Sequence, residues 1–122
     1  MNKKQRIAIA SRWTAAMSSK AVSPLKTLAE VLDHDVRTGS LTGKEAVLQW
    51  FKTWPGMPMF RTGAWQEPKV DGDVVTFGNI FDPEAAFYSA SVSVTIDSSG
   101  KITRANSILR PAPSPLGEIQ ES

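Results

Sequence analysis

Two hydrophobic periods divide this chain. In the first half, apolar residues recur every three or four positions; in the second half they alternate with polar ones. Ile7, Ala10, Trp13 (or Thr14) and Met17 make one stripe, which predicts a helix over residues 3–19. The stripe weakens at Ser18-Ser19-Lys20. Ser23-Pro24 then opens a second helix, with Ser23 as N-cap and Pro24 as the first helical residue; its apolar face is Leu25, Leu28, Val31 and Leu32. Asp33-His34-Asp35 is expected to end that helix, and residues 36–38 to form a short strand. Gly39-Ser40 makes a turn. Thr42, with Glu45 three residues on, reads as a capping box for a third helix. That helix carries Ala46, Val47, Trp50, Phe51 and Trp54, and Pro55-Gly56 stops it. Met57-Pro58-Met59-Phe60 is read as a loop because a proline interrupts it.

The period then shortens to two. Residues 60–70 read as a strand, and Asp71-Gly72-Asp73 as the turn to a second strand over 74–81. Asp82-Pro83-Glu84 is a further turn. Residues 85–96 form a long strand in which Val92, Val94 and Ile96 alternate with Ser91, Ser93 and Thr95. Asp97-Ser98-Ser99-Gly100 turns the chain into a last strand over 101–110, where Ile102 and Ile108 fall out of phase with Leu109. Three helices followed by a four-stranded meander make an α+β architecture, in which the helices cover one face of the sheet. Residues 1–110 are expected to form one domain. Residues 111–122, with three prolines in the first five positions, read as an extended or disordered tail.

Composition removes several chemistries. The 122 residues suit one domain, and 41% hydrophobic with 21% charged content is ordinary for a globular chain. With no cysteine there is no disulfide, thiolate nucleophile or cysteine metal ligand. One histidine leaves little for a transition metal, so neither metal nor cofactor is expected. The net charge is only +2, and the cluster Lys3, Lys4 and Arg6 reads as a solvated helix start, so no nucleic-acid partner is expected. No apolar run approaches the roughly 18 residues of a membrane helix. Residues 7–10 are too short for a signal core, and a cytoplasmic protein without a membrane partner is expected. Neither glycine-rich phosphate-loop pattern occurs.

Three stretches carry a family resemblance. They are Arg12-Trp13-Thr14-Ala15-Ala16-Met17, Leu41-Thr42-Gly43-Lys44-Glu45-Ala46-Val47-Leu48-Gln49-Trp50-Phe51, and Val94-Thr95-Ile96-Asp97-Ser98-Ser99-Gly100-Lys101-Ile102. In order and spacing they resemble the nuclear transport factor 2-like (NTF2-like) superfamily, which includes SnoaL-like polyketide cyclases, ketosteroid isomerase and limonene epoxide hydrolase. The resemblance covers about residues 3–110. It implies a cone-shaped, cystatin-like fold, with three N-terminal helices packed in the concave face of a curved antiparallel sheet and an apolar pocket at the open end. Residues expected to line that pocket are Trp13, Met17, Trp50, Trp54, Met59, Phe60, Trp65, Phe77 and Tyr88. The resemblance also implies a homodimer formed through the sheet, whose outer face would carry Ser89, Ser91, Ser93 and Thr95.

The same resemblance tests the chemistry residue by residue. Isomerase chemistry uses an Asp base and an oxyanion hole made by a Tyr and a protonated Asp. The matching positions here are Thr38 for the base, Trp13 for the Tyr and Val92 for the acid, so all three roles are lost. Epoxide hydrolysis of the limonene type implies inward carboxylates around an arginine. The candidates Asp73, Asp82, Glu84 and Asp97 all fall at turns, where carboxylates are usually solvated. Arg104 and Arg110 share one strand face by even spacing with Ile102. The remaining catalytic candidates are His34 and Asp35 with Arg104 or Tyr88, because a His beside a carboxylate can exchange protons near neutrality. The expected function is therefore binding of an apolar small molecule. The alternatives are an isomerase, cyclase or epoxide hydrolase acting on an apolar ring substrate, and a protein–protein adaptor. Two or more titratable groups inside the cone would favour the enzyme, and a filled cone with an outer apolar patch the adaptor.

Overall fold

A computed structural model describes residues 1–18, 22–53, 64–80 and 88–111. At Ala64, Ile80, Tyr88, Ser89 and residues 109–111 the description is of backbone alone. The expected loop at 57–60, the turn at 82–84 and the tail over 112–122 lie outside the described residues. Three helices, α1 (Lys3–Met17), α2 (Val22–Ala29) and α3 (Lys44–Thr53), accompany seven strands. The strands are β1 (Leu32–Thr38), β2 (Leu41–Thr42), β3 (Ala64–Trp65), β4 (Lys69–Asp71), β5 (Val74–Ile80), β6 (Tyr88–Ile96) and β7 (Ile102–Pro111). They form one curved sheet in the order β2-β1-β7-β6-β5-β3, with β4 also paired to β5. All pairs are antiparallel except β1 with β7, which is parallel. The expected α+β class is borne out.

Helix α1 starts at a capping box: Asn2 Oδ1 accepts from Gln5 N at 2.8 Å, and Gln5 Oε1 accepts from Asn2 N at 2.9 Å. Its stripe then buries Ala10, Trp13, Thr14, Ala16 and Met17. Arg6, expected to be solvated, is instead a clamp between helix and sheet. Its guanidinium donates to the Ile96 carbonyl at 3.0 Å and reaches Asp73 Oδ1 at 3.1 Å. That places one cation across the ends of β5 and β6, where it ties two strand termini to the first turns of α1.

The second helix is shorter than its pattern suggests. It begins at Val22, so Ser23 lies inside it rather than at the cap, and it ends at Ala29. Asp33-His34-Asp35 belongs to β1 and does not end the helix. Leu32 is reached by a turn and buries on the sheet, while Ile102 N donates to Val31 O at 2.7 Å and fixes where β1 meets β7. Helix α3 also starts one residue later than the capping box would place it. Thr42 is held in β2 opposite Arg37, and the Gly43 carbonyl accepts the first helical bond from Val47 N at 3.0 Å. Gly43 has a φ of 106°, a conformation side chains resist, which explains why the glycine and not Thr42 makes this junction.

The strand expected over 60–70 is split. β3 and β4 lie end to end along β5, shifted in register by one residue around Gln66-Glu67-Pro68. Pro68 has no N–H for the ladder, so the break falls at the sheet edge, where proline is tolerated. A second irregularity has larger consequences. Thr95 pairs with Arg104 but Ile96 pairs with Ile102, so Thr103 is an extra residue in β7. Such a bulge bends a strand and raises its twist. It also inverts the phase of everything beyond it. Ile102 and Ala105 are both buried, although they stand three positions apart, which in a regular strand would put them on opposite faces.

The concave face is continuous across the register: Val75 faces Val94, Phe77 faces Val92 and Asn79 faces Ala90, with Val94 in turn opposite Ala105. All are buried, and the apolar ones join Ala10, Trp13, Leu28, Val36 and Val47 in one core. The opposite face carries Thr76, Ser91, Ser93, Thr95, Arg104, Asn106 and Ile108, all half-buried or exposed. The β6–β7 hairpin closes on Asp97. Its Oδ1 accepts from Ser99 N, Ser99 Oγ and Lys101 N at 2.7–3.0 Å. The Lys101 amide, followed by the Ser99 hydroxyl, holds the carboxyl below its ordinary value. A group whose folded pKa is depressed stabilises above its unfolded pKa and loses that contribution as pH falls through the folded one. Asp97→Asn should therefore be less stable than wild type in urea at pH 6–8, and the gap should close toward strongly acid pH. A gap independent of pH would show that the charge does not hold the turn.

Candidate functional site

The helices place three aromatic rings over the concave face. Trp13 of α1 and Phe51 of α3 meet edge to face at 5.0 Å, and Phe51 meets Trp50 in the same way at 4.9 Å. On the other side, Trp65 of β3 meets Phe77 of β5 at 6.1 Å. Trp65 Nε1 donates to Ser18 Oγ at 2.9 Å, so β3 is tied to the end of α1. Of the expected pocket residues, Trp13, Met17 and Phe77 are buried in the core, and Trp50 and Trp65 are half-buried beside it. Trp54, Met59 and Phe60 lie outside the described residues, as does the side chain of Tyr88.

Trp50 lines a cleft of about 460 Å³ together with Thr38, Gly39, Ser40, Leu41, Asn106 and Ser107. The cleft opens where β1 ends: Thr38 pairs with Ala105, and β7 runs on past it. Its polar groups are neutral hydroxyls and an amide, and its apolar part is the indole and Leu41. Thr38, which the resemblance matches to the isomerase base, is in this cleft; Trp13 and Val92, which it matches to the other two roles, are in the core.

The catalytic candidates do not converge. β1 carries three more residues than β7 between its pairings at Leu32 and Arg37, so Asp33 to Val36 arch away from the ladder while Val36 returns to the core. His34 and Asp35 ride on that arch, 93% and 83% exposed, with His34 Nδ1 3.1 Å from Asp35 Oδ1. Arg104 is exposed on the outer face, opposite Thr95. Even spacing from Ile102 had suggested a shared face; the bulge at Thr103 breaks that inference. Asp73 is exposed beside Arg6, and Asp97 is engaged in its turn. Among the described residues no three His, Asp or Glu side chains gather as a metal site. No described helix is long and apolar enough to cross a membrane.

One buried polar side chain was not among the residues expected from the sequence. Asn79 is fully buried on the concave face, and neither its Nδ2 nor its Oδ1 has a hydrogen-bond partner. The Trp13 Nε1 is likewise buried without an acceptor. Thr14, the other buried polar residue of the described part, is satisfied by the Ser11 carbonyl at 3.0 Å. The sequence signal for Asn79 was its place in the 74–81 run, at even spacing from Val75 and Phe77. That spacing puts an amide on the dry face, where burial without partners costs about 1–3 kcal/mol per group.

No protein-family model matches the chain, and no curated protein matches its sequence. Solved structures match its fold. An NTF2-like protein of unknown function from Cytophaga hutchinsonii superposes with a TM-score of 0.64 at 13% identity, covering 87% of this chain and 90% of its own. A steroid delta-isomerase from Pseudomonas aeruginosa gives 0.62 at 16% identity, covering 88% and 80%. A de novo designed protein with a curved β-sheet gives 0.64 at 16% identity, covering 99% and 95%. At these identities the likeness is one of fold, and the fold is the NTF2-like α+β cone. Given the exposure of the arch, His34→Ala and Asp35→Ala should each change unfolding free energy by less than about 0.5 kcal/mol in urea melts. A loss above about 1 kcal/mol would mean that the arch is packed.

Proposed function

We propose that this chain, with its NTF2-like fold, is a small-molecule-binding domain whose ligand is neutral and mostly apolar and occupies the concave side of the sheet. The observation that carries this reading is the unpartnered, fully buried amide of Asn79 in an otherwise apolar, uncharged surrounding. Buried polar groups are nearly always paired, and a site for a small molecule combines apolar walls with a few polar groups awaiting their partners. The aromatic residues Trp13, Phe51, Trp65 and Phe77 supply such walls. Neutrality follows from charge: a ligand ion would lose hydration beside a core that offers no counter-charge among the described residues.

An acid–base enzyme finds less support. His34, Asp35 and Arg104 all lie in solvent, and no cluster of titratable groups faces the core among the described residues. The adaptor reading needs a contiguous apolar patch outside. Among the described residues the large exposed apolar side chains, Met1, Val22 and Ile108, belong to three separate parts of the chain.

Nile red, a neutral dye that brightens in apolar surroundings, tests the reading. Wild type should bind it saturably. Ala90→Phe, which puts a ring directly across from Asn79, should weaken binding by about tenfold, a loss of about 1.4 kcal/mol. Ser93→Phe, on the outer face, should leave it unchanged. Dye binding that ignores Ala90→Phe and responds to Ser93→Phe would place the ligand on the wrong face and sink the proposal.

A further inference from the structure

We infer that Asn79 selects the ligand by its polar edge, and that the ligand class is a neutral cyclic amide or primary carboxamide joined to an apolar ring body. The inference rests on the binding function proposed above and names what is bound. It follows from counting donors and acceptors. A side-chain amide offers two N–H donors from Nδ2 and two acceptor sites on Oδ1. In Asn79 neither atom is engaged, so the conclusion holds whichever way the amide is turned. A hydrocarbon would leave all of them unmet. An ether, ketone or nitrile would meet only the donors. A carboxylate would bring a charge with no buried cation among the described residues to receive it. A ligand amide carries one acceptor and one donor on the same edge, and can meet Nδ2 and Oδ1 with two parallel hydrogen bonds. Trp13 Nε1 adds a further unpaired donor in the same core, which again favours a carbonyl-bearing ligand.

Asn79 is fully buried, with a small side chain on one flanking strand and a flat ring on the other. Directly across on β6 is Ala90, the smallest side chain on that stretch of the concave face, and across on β3 is Trp65, whose ring packs on Phe77. Val75, Val92 and Val94 continue the wall. Every side chain of this wall except Asn79 is apolar apart from the indole N–H groups, and that of Trp65 is already spent on Ser18. The amide of Asn79 is thus the polar feature of the wall that can discriminate among ligands of similar shape.

The test is a matched set of bicyclic probes: 2-quinolinone, its N-methyl derivative and naphthalene. Binding is followed by titration calorimetry with wild type and Asn79→Leu. Wild type should bind 2-quinolinone at least about tenfold more tightly than either of the others, and Asn79→Leu should abolish that preference while still binding naphthalene. Equal affinity for the three probes in wild type, or a preference that survives Asn79→Leu, overturns the inference and leaves the binding function standing. It would mean that an ordered water satisfies the amide. Binding of none of the probes overturns both. If Asn79→Leu does not fold, the comparison of 2-quinolinone with its N-methyl derivative in wild type still decides, because methylation replaces the N–H donor at that edge and keeps the carbonyl.

Discussion

The contact between the apolar stripe of α1 and the concave face of β5 and β6 organises the molecule. A sheet with one covered face must keep every strand in phase, because a slip of one residue exchanges dry side chains for wet ones. The run Val75-Phe77 and the run Val92-Val94-Ile96 keep that phase by simple alternation. β7 keeps it by a bulge. The extra residue Thr103 lets Ile102 and Ala105 both face inward, turns Arg104 outward and adds curvature where the sheet must wrap around the helices. Arg6 then secures the arrangement from the helix side, since its guanidinium reaches both the Ile96 carbonyl and Asp73.

Where hydrophobic period was the only signal needed, the chain could be read directly. The α1 stripe, the alternation of β6 and the turns at Gly72 and Gly100 all stand as the pattern predicts, because each is decided by residues close in sequence. The failures share a cause of the opposite kind. Asp33-His34-Asp35 looks like a helix end, yet the parallel pairing of Leu32 with Ile102 draws it into β1. Arg104 looks like a neighbour of Ile102 in phase, yet pairing with β6 decides its face. Thr42 looks like a cap, yet pairing with Arg37 holds it in β2. In each case a partner distant in the chain overrode a local preference, and such partners are invisible to a reading of windows.

The candidate site was legible only as a wall. Trp13, Trp65 and Phe77 were recognisable because large aromatic residues on an inward face have few other places to go. The polar group inside the wall was not, since a single asparagine in a strand resembles a turn residue displaced by chance. Its meaning appears only when burial and hydrogen bonding are known together. The fold alone could not have supplied it. A designed protein with a curved sheet shares the architecture as closely as a steroid isomerase does, so the cone is a solution to packing that carries no chemistry of its own.

That separation of fold from site gives the unpaired amide its weight. A packed core built for stability alone would hold an apolar residue at position 79, because replacing an unpaired buried polar group by a hydrocarbon of like shape gains free energy. Trp13 poses the same problem with a smaller group, one donor and no acceptor. Unpaired, each of these groups costs about 1–3 kcal/mol. A water can recover part of it, but water makes no use of the aromatic wall beside Asn79. A ligand with a polar edge and an apolar body satisfies the amide and covers the wall in one step, and that double complementarity separates a binding site from a packing defect.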